Sequence, residues 1–238
     1  MKVALIGYGK MGREIETVLL KRNHTVQVKI DINNSHDLNP DKFKDIDVAV
    51  EFSSPDSAFE NITGCLKMGK PVVSGTTGWL ERYDEAAELC IKMKTSFIHS
   101  SNFSLGVNIL FKLNNDLAAA MEKYREYVPG IEEIHHTQKI DAPSGTAINI
   151  AEGIIAHNKR YKKWEKERAS GDKSIPIRSV REGMVPGIHI VSWDSDIDSI
   201  SLKHDAKSRK GLALGAVIAA EFIHKRTGVF TMNDVLGF

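Results

Sequence analysis

Short apolar runs recur through the first hundred residues at Val3–Ile6, Val26–Ile30, Val48–Phe52, Pro71–Ser74 and Phe97–Ser100. Amphipathic stretches of helical period lie between most of them, from Gly12 to about Arg22, over Asp56–Met68 and over Glu81–Lys94. Buried strands that alternate with helices predict a parallel sheet with right-handed crossovers. Beyond residue 101 the rhythm changes. Leu105–Glu122 reads as one long helix with Leu105, Ile109, Leu113 and Leu117 on its apolar face, and Ala147–Arg160 as another. Glu132–Thr137, Ile177–Arg181, Ile188–Trp193 and Ile197–His204 read as strands with short links. The expected class is α/β, a Rossmann-type parallel sheet, followed by a smaller α+β domain with an open mixed sheet. The last helix, Gly211–Lys225, is apolar on a broad face. It is expected to return to the first domain, because a five-stranded parallel sheet needs helices on both faces. The expected division is 1–103 with 211–238, and 104–210.

Composition narrows the function classes. The formal net charge is +1, with 42% hydrophobic and 26% charged residues. No global field favours nucleic acid or an anionic membrane, so any preference for anions must be local. The basic run Lys159–Arg168 is interrupted by Glu165 and Glu167 and reads as a solvated helix face. The apolar run after Lys2 is shorter than a signal-peptide core, and no segment approaches the ~18 apolar residues of a membrane helix. Cys65 and Cys90 have no metal-ligand or redox spacing, which suits a reducing cytoplasm. His24, His36, His99, His157, His189 and His224 are scattered without metal-ligand spacing, and no metal is expected.

Two segments carry candidate chemistry. Gly7-Tyr-Gly-Lys-Met-Gly12 follows a strand and opens a helix, the setting in which this pattern binds a dinucleotide. Gly7 permits the turn, Gly9 lets backbone approach a pyrophosphate, and Gly12 permits close helix packing. Asp31 ends the second strand, where a carboxylate accepts hydrogen bonds from ribose hydroxyls and repels a 2′-phosphate. This favours NADH over NADPH, with Lys29 and Arg13 the cations that could offset it. Gly75, Thr76 and Thr77, and then Ser100, Ser101, Asn102 and Phe103, follow the fourth and fifth strands on the same sheet edge, where open α/β sheets bind ligands.

The second segment is Glu133-Ile-His-His-Thr-Gln-Lys-Ile-Asp-Ala-Pro-Ser-Gly-Thr146. A strand period puts Glu133, His135, Thr137 and Lys139 on one face. Histidine is the usual acid near neutral pH and lysine a compact cation. Pro143-Ser-Gly-Thr146 starts a helix, with Pro in the first turn and Ser or Thr as cap. Its free amides suit a carboxylate.

The chain resembles the 4-hydroxy-tetrahydrodipicolinate (dihydrodipicolinate) reductase family. The resemblance rests on Gly7–Arg13, Glu51–Pro55, Ser74–Gly78, Asn102–Asn108, Glu133–His136 and Lys139–Ala147, in the family's order. It implies reduction of 4-hydroxy-tetrahydrodipicolinate to tetrahydrodipicolinate with NADH or NADPH, in the diaminopimelate route to lysine. It implies His135 as proton donor with Lys139 as its catalytic partner, and His136, Ser144, Gly145 and Thr146 on the substrate. Gly7, Tyr8, Gly9, Lys10, Met11, Gly12, Asp31, Gly75–Thr77 and Ser100–Phe103 fall on cofactor positions. The partners implied are a small dicarboxylate substrate and a homotetramer formed through the second domain's sheet. The chain departs from the family in being short around Lys159–Pro176, in Ile32 where Arg is frequent, and in Asp205 at a commonly basic position. His204 and Arg209 still match. A dehydrogenase of the aspartate or homoserine type, or a dinucleotide-sensing protein, would share the first segment but have no use for the second.

Overall fold

The computed structural model describes residues 1–238. It divides into two compact units, 1–105 with 210–238, and 106–209. The first unit alternates β1 (Lys2–Ile6), α1 (Lys10–Lys21), β2 (Thr25–Ile30), the short α2 (Pro40–Phe43), β3 (Val48–Glu51), α3 (Pro55–Lys67), β4 (Val72–Ser74), α4 (Tyr83–Lys92) and β5 (Ser96–His99). Helix α5 (Leu105–Ala120) leads into the second unit. There follow β6 (Val128–His135), α6 (Gly145–His157), β7 (Lys163–Lys166), β8 (Ser174–Arg181), β9 (Ile188–Asp194) and β10 (Ser199–Asp205). The chain then rejoins the first unit through α7 (Lys210–Ile223), β11 (Gly228–Phe230) and α8 (Met232–Leu236).

The first sheet has the order β11-β5-β4-β3-β1-β2, and every pairing in it is parallel. Its sixth strand, β11, was not expected. Three residues of intermediate exposure carry no readable period, and only pairing to Ser96–Ile98 makes them a strand. The order reverses between β1 and β3, so the crevice at the carboxyl end of β1 is a topological switch point. One face of the sheet packs Leu5, Val50 and Val73 against α1 and α7, and the other packs Ala49, Val72 and Phe97 with Ile62 and Cys65 of α3. The close fit of α7 depends on Gly215, where a Cβ would stand 1.7 Å from the Phe103 carbonyl oxygen.

The second sheet has the order β10-β9-β6-β8-β7, with β6, β8 and β7 parallel and β9 and β10 antiparallel. Two expectations fail here. Residues 163–166 form edge strand β7, not part of a helix face. Lys and Glu favour helix, but buried Tyr161, 6.1 Å from Trp193, and half-buried Trp164 pin the segment to the core. The inward face of α5 is also rotated from the expected one. Val107, Leu110, Asn114 and Ala118 are buried, while Ile109 and Leu113 are exposed. Buried Asn114 is tied to α6, its Nδ2 donating to the Ile150 carbonyl at 3.0 Å. Gly153 admits this close approach, since a Cβ there would meet the Asn115 side chain at 2.4 Å. No helix is long and apolar enough to cross a membrane.

Candidate functional site

The first unit opens a cleft of about 610 Å³ at the switch point, lined by Gly7, Tyr8, Gly9, Asp31, Ile32 and Ser53 among others. Gly7 has φ +91°, and a Cβ there would lie 2.0 Å from the Phe52 carbonyl oxygen. Gly12 faces the same turn, its notional Cβ 2.4 Å from the Gly7 oxygen, so it serves the turn more than the sheet. Gly9 is the N-cap of α1 and has no side chain to cap it, and a Cβ there would meet nothing within 4 Å. The first-turn amides of α1 are thus left to an anion, as a dinucleotide pyrophosphate requires. Tyr8 lines the cleft, Met11 packs on the core, and Lys10 is exposed.

Asp31 stands exposed beside the cleft, with one oxygen accepting the Asn33 N–H at 2.7 Å. Lys29, a candidate for holding a 2′-phosphate, is instead paired with Glu16 at 2.7 Å and donates to the Tyr8 hydroxyl at 3.2 Å. Tyr8 in turn hydrogen-bonds Glu16. The loops after β4 and β5 meet through Ser100 N–H donating to the Ser74 carbonyl. Within them the Thr76 hydroxyl is committed to buried Glu51 (2.8 Å), which also receives Ser74 (2.7 Å) and the Ser53 N–H (2.9 Å). Gly75 lies against the Phe52 ring, Thr77 is exposed, and Phe103 is buried in the core. Ser101 is exposed as well, and Ser100 and Asn102 are half-buried.

In the second unit β6 ends at His135, with Glu133 and His135 both on its buried face. Parallel pairing puts Ser179 opposite Glu133 and Arg181 opposite His135, and antiparallel pairing puts His189 opposite Glu133. The fully buried Glu133 carboxylate is the hub. Its Oε1 accepts from Ser179 Oγ (2.8 Å), the Ser144 N–H (3.0 Å) and Arg181 Nη2 (3.1 Å). Its Oε2 lies 3.2 Å from His135 Nδ1 and 3.9 Å from His189 Nε2. Burial alone would raise this carboxyl, but His135, Ser144, Ser179 and Arg181 together hold it well below the usual carboxylate range. Burial, with help from the charge of His135, lowers His189 to about 4, so His189 is neutral near pH 7. The two imidazoles meet edge to face, 5.1 Å between centroids.

Helix α6 begins beside this hub. Ser144 is its N-cap and accepts the Ala147 N–H at 3.2 Å, while its own N–H is fixed by Glu133. Pro143 precedes the cap instead of occupying the first turn. A Cβ on Gly145 would meet nothing within 4 Å, so the start of the helix is open. Half-buried His136 adjoins His135, and its carbonyl accepts the Lys139 N–H. Lys139 Nζ is not a bare cation: it contacts both oxygens of Asp141, at 2.7 and 2.8 Å. That contact lowers the Asp141 carboxyl. Arg181 braces the same loop through the Asp141 and Lys139 carbonyls.

His135, Lys139 and Ser144–Thr146 thus converge on one end of the second unit's sheet. Glu133, Ser179, Arg181 and His189 are not among the site residues expected from the sequence. Glu133 had a signal, since it shares a strand face with His135; the other three arrive only through strand pairing. His189, first counted as scattered, adjoins His135. Glu133, His135 and His189 bring ligand-type atoms within 4.8 Å of one another. The Arg181 guanidinium already compensates this carboxylate, which favours proton chemistry over a dication.

Comparisons agree with this geometry. Family models described as the N-terminus and C-terminus of dihydrodipicolinate reductase match residues 1–103 and 106–236. A 4-hydroxy-tetrahydrodipicolinate reductase of Christiangramia forsetii is 52% identical over 237 residues, covering 99% of this chain and 98% of that protein. One from Thermosipho africanus is 34% identical over 238 residues, covering 99% and 98%. The solved structure of a dipicolinate-bound dihydrodipicolinate reductase from Paenisporosarcina sp. TG-14 superposes with TM-score 0.80 at 25% identity, covering 97% of each chain. The chain belongs to the dihydrodipicolinate reductase family, and its reaction is the NAD(P)H-dependent reduction of 4-hydroxy-tetrahydrodipicolinate in lysine biosynthesis.

Proposed function

We propose that His135 is the proton donor of this reaction and that Lys139 with the start of α6 holds a carboxylate of the substrate. The observation that carries this is the joining of His135 and the Ser144 N–H by one buried carboxylate. It places a protonatable ring and a helix N-terminus, the two groups the chemistry needs, in one rigid unit. The product lacks the 4-hydroxyl of the substrate, so the net change takes up a hydride and a proton and releases water. The bound nicotinamide supplies the hydride. The chain supplies the proton from His135 and positive potential from the amides of Gly145 and Thr146 and from Lys139, which exchanges its contact with Asp141 for one with the substrate. His136, Ser144, Gly145 and Thr146 form the substrate's lining. A helix-end contact of this kind is worth ~0.3–2 kcal/mol. The dipicolinate in the Paenisporosarcina protein is a planar dicarboxylate and supports the same ligand class here. A crystal structure with pyridine-2,6-dicarboxylate is expected to show a carboxylate against residues 139–146. Density for it elsewhere would overturn the assignment.

Gly7–Gly12, Asp31, Thr77 and Ser100–Asn102 hold the dinucleotide in this proposal, with Gly75, Thr76 and Phe103 shaping its loops. Asp31 favours NADH, and the capture of Lys29 by Glu16 and Tyr8 removes a cation that would otherwise attract a 2′-phosphate. The expected kcat/KM is higher with NADH than with NADPH; a tenfold preference for NADPH would refute this. Self-association as a tetramer is supported by the sheet face opposite the core. There Ile134, Ile188 and Val180 form a row of half-buried apolar residues on the face away from buried Ile131, Ile177 and Val191. A cytoplasmic location fits two buried, unpaired cysteines.

A further inference from the structure

We infer that Glu133 is a positioning residue that fixes the orientation and tautomer of His135, and that Ser179, Arg181 and the Ser144 N–H exist to aim it. This rests on the reading of His135 as donor. The division of labour between the two carboxylate oxygens carries the inference. Oε1 takes three donors, one each from β8's Ser179 and Arg181 and one from the cap of α6. Oε2 takes none of them and is left to the imidazoles, 3.2 Å from His135 Nδ1. A buried carboxylate with one oxygen saturated and the other 3.2 Å from a ring nitrogen fixes the orientation of the ring and selects the tautomer with hydrogen on Nδ1. The opposite nitrogen, Nε2, is then the one that gives up a proton. Nε2 lies against Gly187, where a Cβ would come within 3.1 Å, so a side chain at that position would crowd it.

Glu133 is the carboxylate that reaches the His135 ring, at 3.2 Å. His189 from β9 is neutral, and Arg181 on β8 and Lys139 in the loop carry no acceptor for an Nδ1 hydrogen. Asp141 is occupied by Lys139. The Ser144 N–H gives the same carboxylate a second consequence. It ties the donor's partner to the cap of the helix proposed to hold the substrate.

Glu133→Gln tests this, because it keeps the shape and the acceptor for Ser179 and Arg181 but turns an amide toward Nδ1. At pH 7.5 kcat is expected to fall about tenfold or more, with KM for NADH within about twofold. KM for the substrate is expected to stay within about threefold, so that the loss falls on kcat. An unchanged kcat, or a loss that falls on KM instead, would overturn the inference. If Glu133→Gln does not fold, Ser179→Ala removes one donor from Oε1 and is expected to lower kcat in the same way by less; an unchanged kcat there also overturns it. His135→Ala, assayed in parallel, separates the two claims. An active His135→Ala enzyme defeats the donor assignment itself, whereas a crippled one beside an unaffected Glu133→Gln defeats only the role of Glu133.

Discussion

Replacing His135 with Ala is expected to lower kcat by about 10²–10⁴-fold, the usual contribution of a positioned general acid. Little else should change. The cofactor cleft is built from residues of the first unit alone, so NADH affinity should stay within about twofold of the wild type. The loss of the ring removes volume from a buried site, where His135 packs on His189 and Gly187. Some stability should be lost too, on the order of 1–3 kcal/mol, because Glu133 Oε2 keeps its charge with one fewer partner. Steady-state kinetics at saturating NADH, with fluorescence titration of NADH and urea denaturation alongside, reads all three quantities. A kcat within a factor of about two of the wild type would exclude His135 as the donor.

Gly7→Ala is expected to weaken NADH binding on the order of a hundredfold, about 3 kcal/mol, and to lower the unfolding midpoint as well. The backbone at Gly7 is left-handed, φ +91°, which costs an L-residue about 1–2 kcal/mol. The new methyl would meet the Phe52 carbonyl carbon and oxygen and the Ser53 nitrogen, all backbone atoms within 2.7 Å, so the turn itself must move. Moving it displaces the uncapped start of α1 on which the pyrophosphate depends. Gly9→Ala is the informative control. Its methyl meets no protein atom within 4 Å, so stability should be near normal while NADH binding still weakens, because the added carbon fills space that the phosphates need. Isothermal titration with NADH and thermal melts distinguish the two variants. Full NADH affinity in Gly9→Ala would mean that the cofactor does not approach the backbone at this turn.

Both variants test residues that were visible in the sequence, and the reason is the same for each. The Gly7–Gly12 spacing and the Glu133–Thr146 segment are local: the turn, the helix start and the strand face follow from neighbours along the chain. Alternating strands and helices likewise specified the parallel sheet and the return of α7, since a buried parallel strand has a continuous apolar run and α7 a broad apolar face. Elements defined by partners were not readable. Strand β11 has three residues and exists only through its pairing with β5. Strand β7 looks helical by composition and is held extended by Tyr161 and Trp164. The buried face of α5 turned on Asn114, a polar residue that one hydrogen bond ties to α6.

The candidate site divides along the same line. The sequence by itself picked out the residues proposed as donor, cation and anion-binding helix start, because all three lie within one short stretch and their chemistry belongs to the side chains and the local backbone. Only the tertiary structure decided what surrounds them. Register across three strands brings Ser179, Arg181 and His189 from 46 to 56 residues away onto Glu133. Burial there then decides which groups carry charge, and no periodicity along a single chain records either pairing or burial depth.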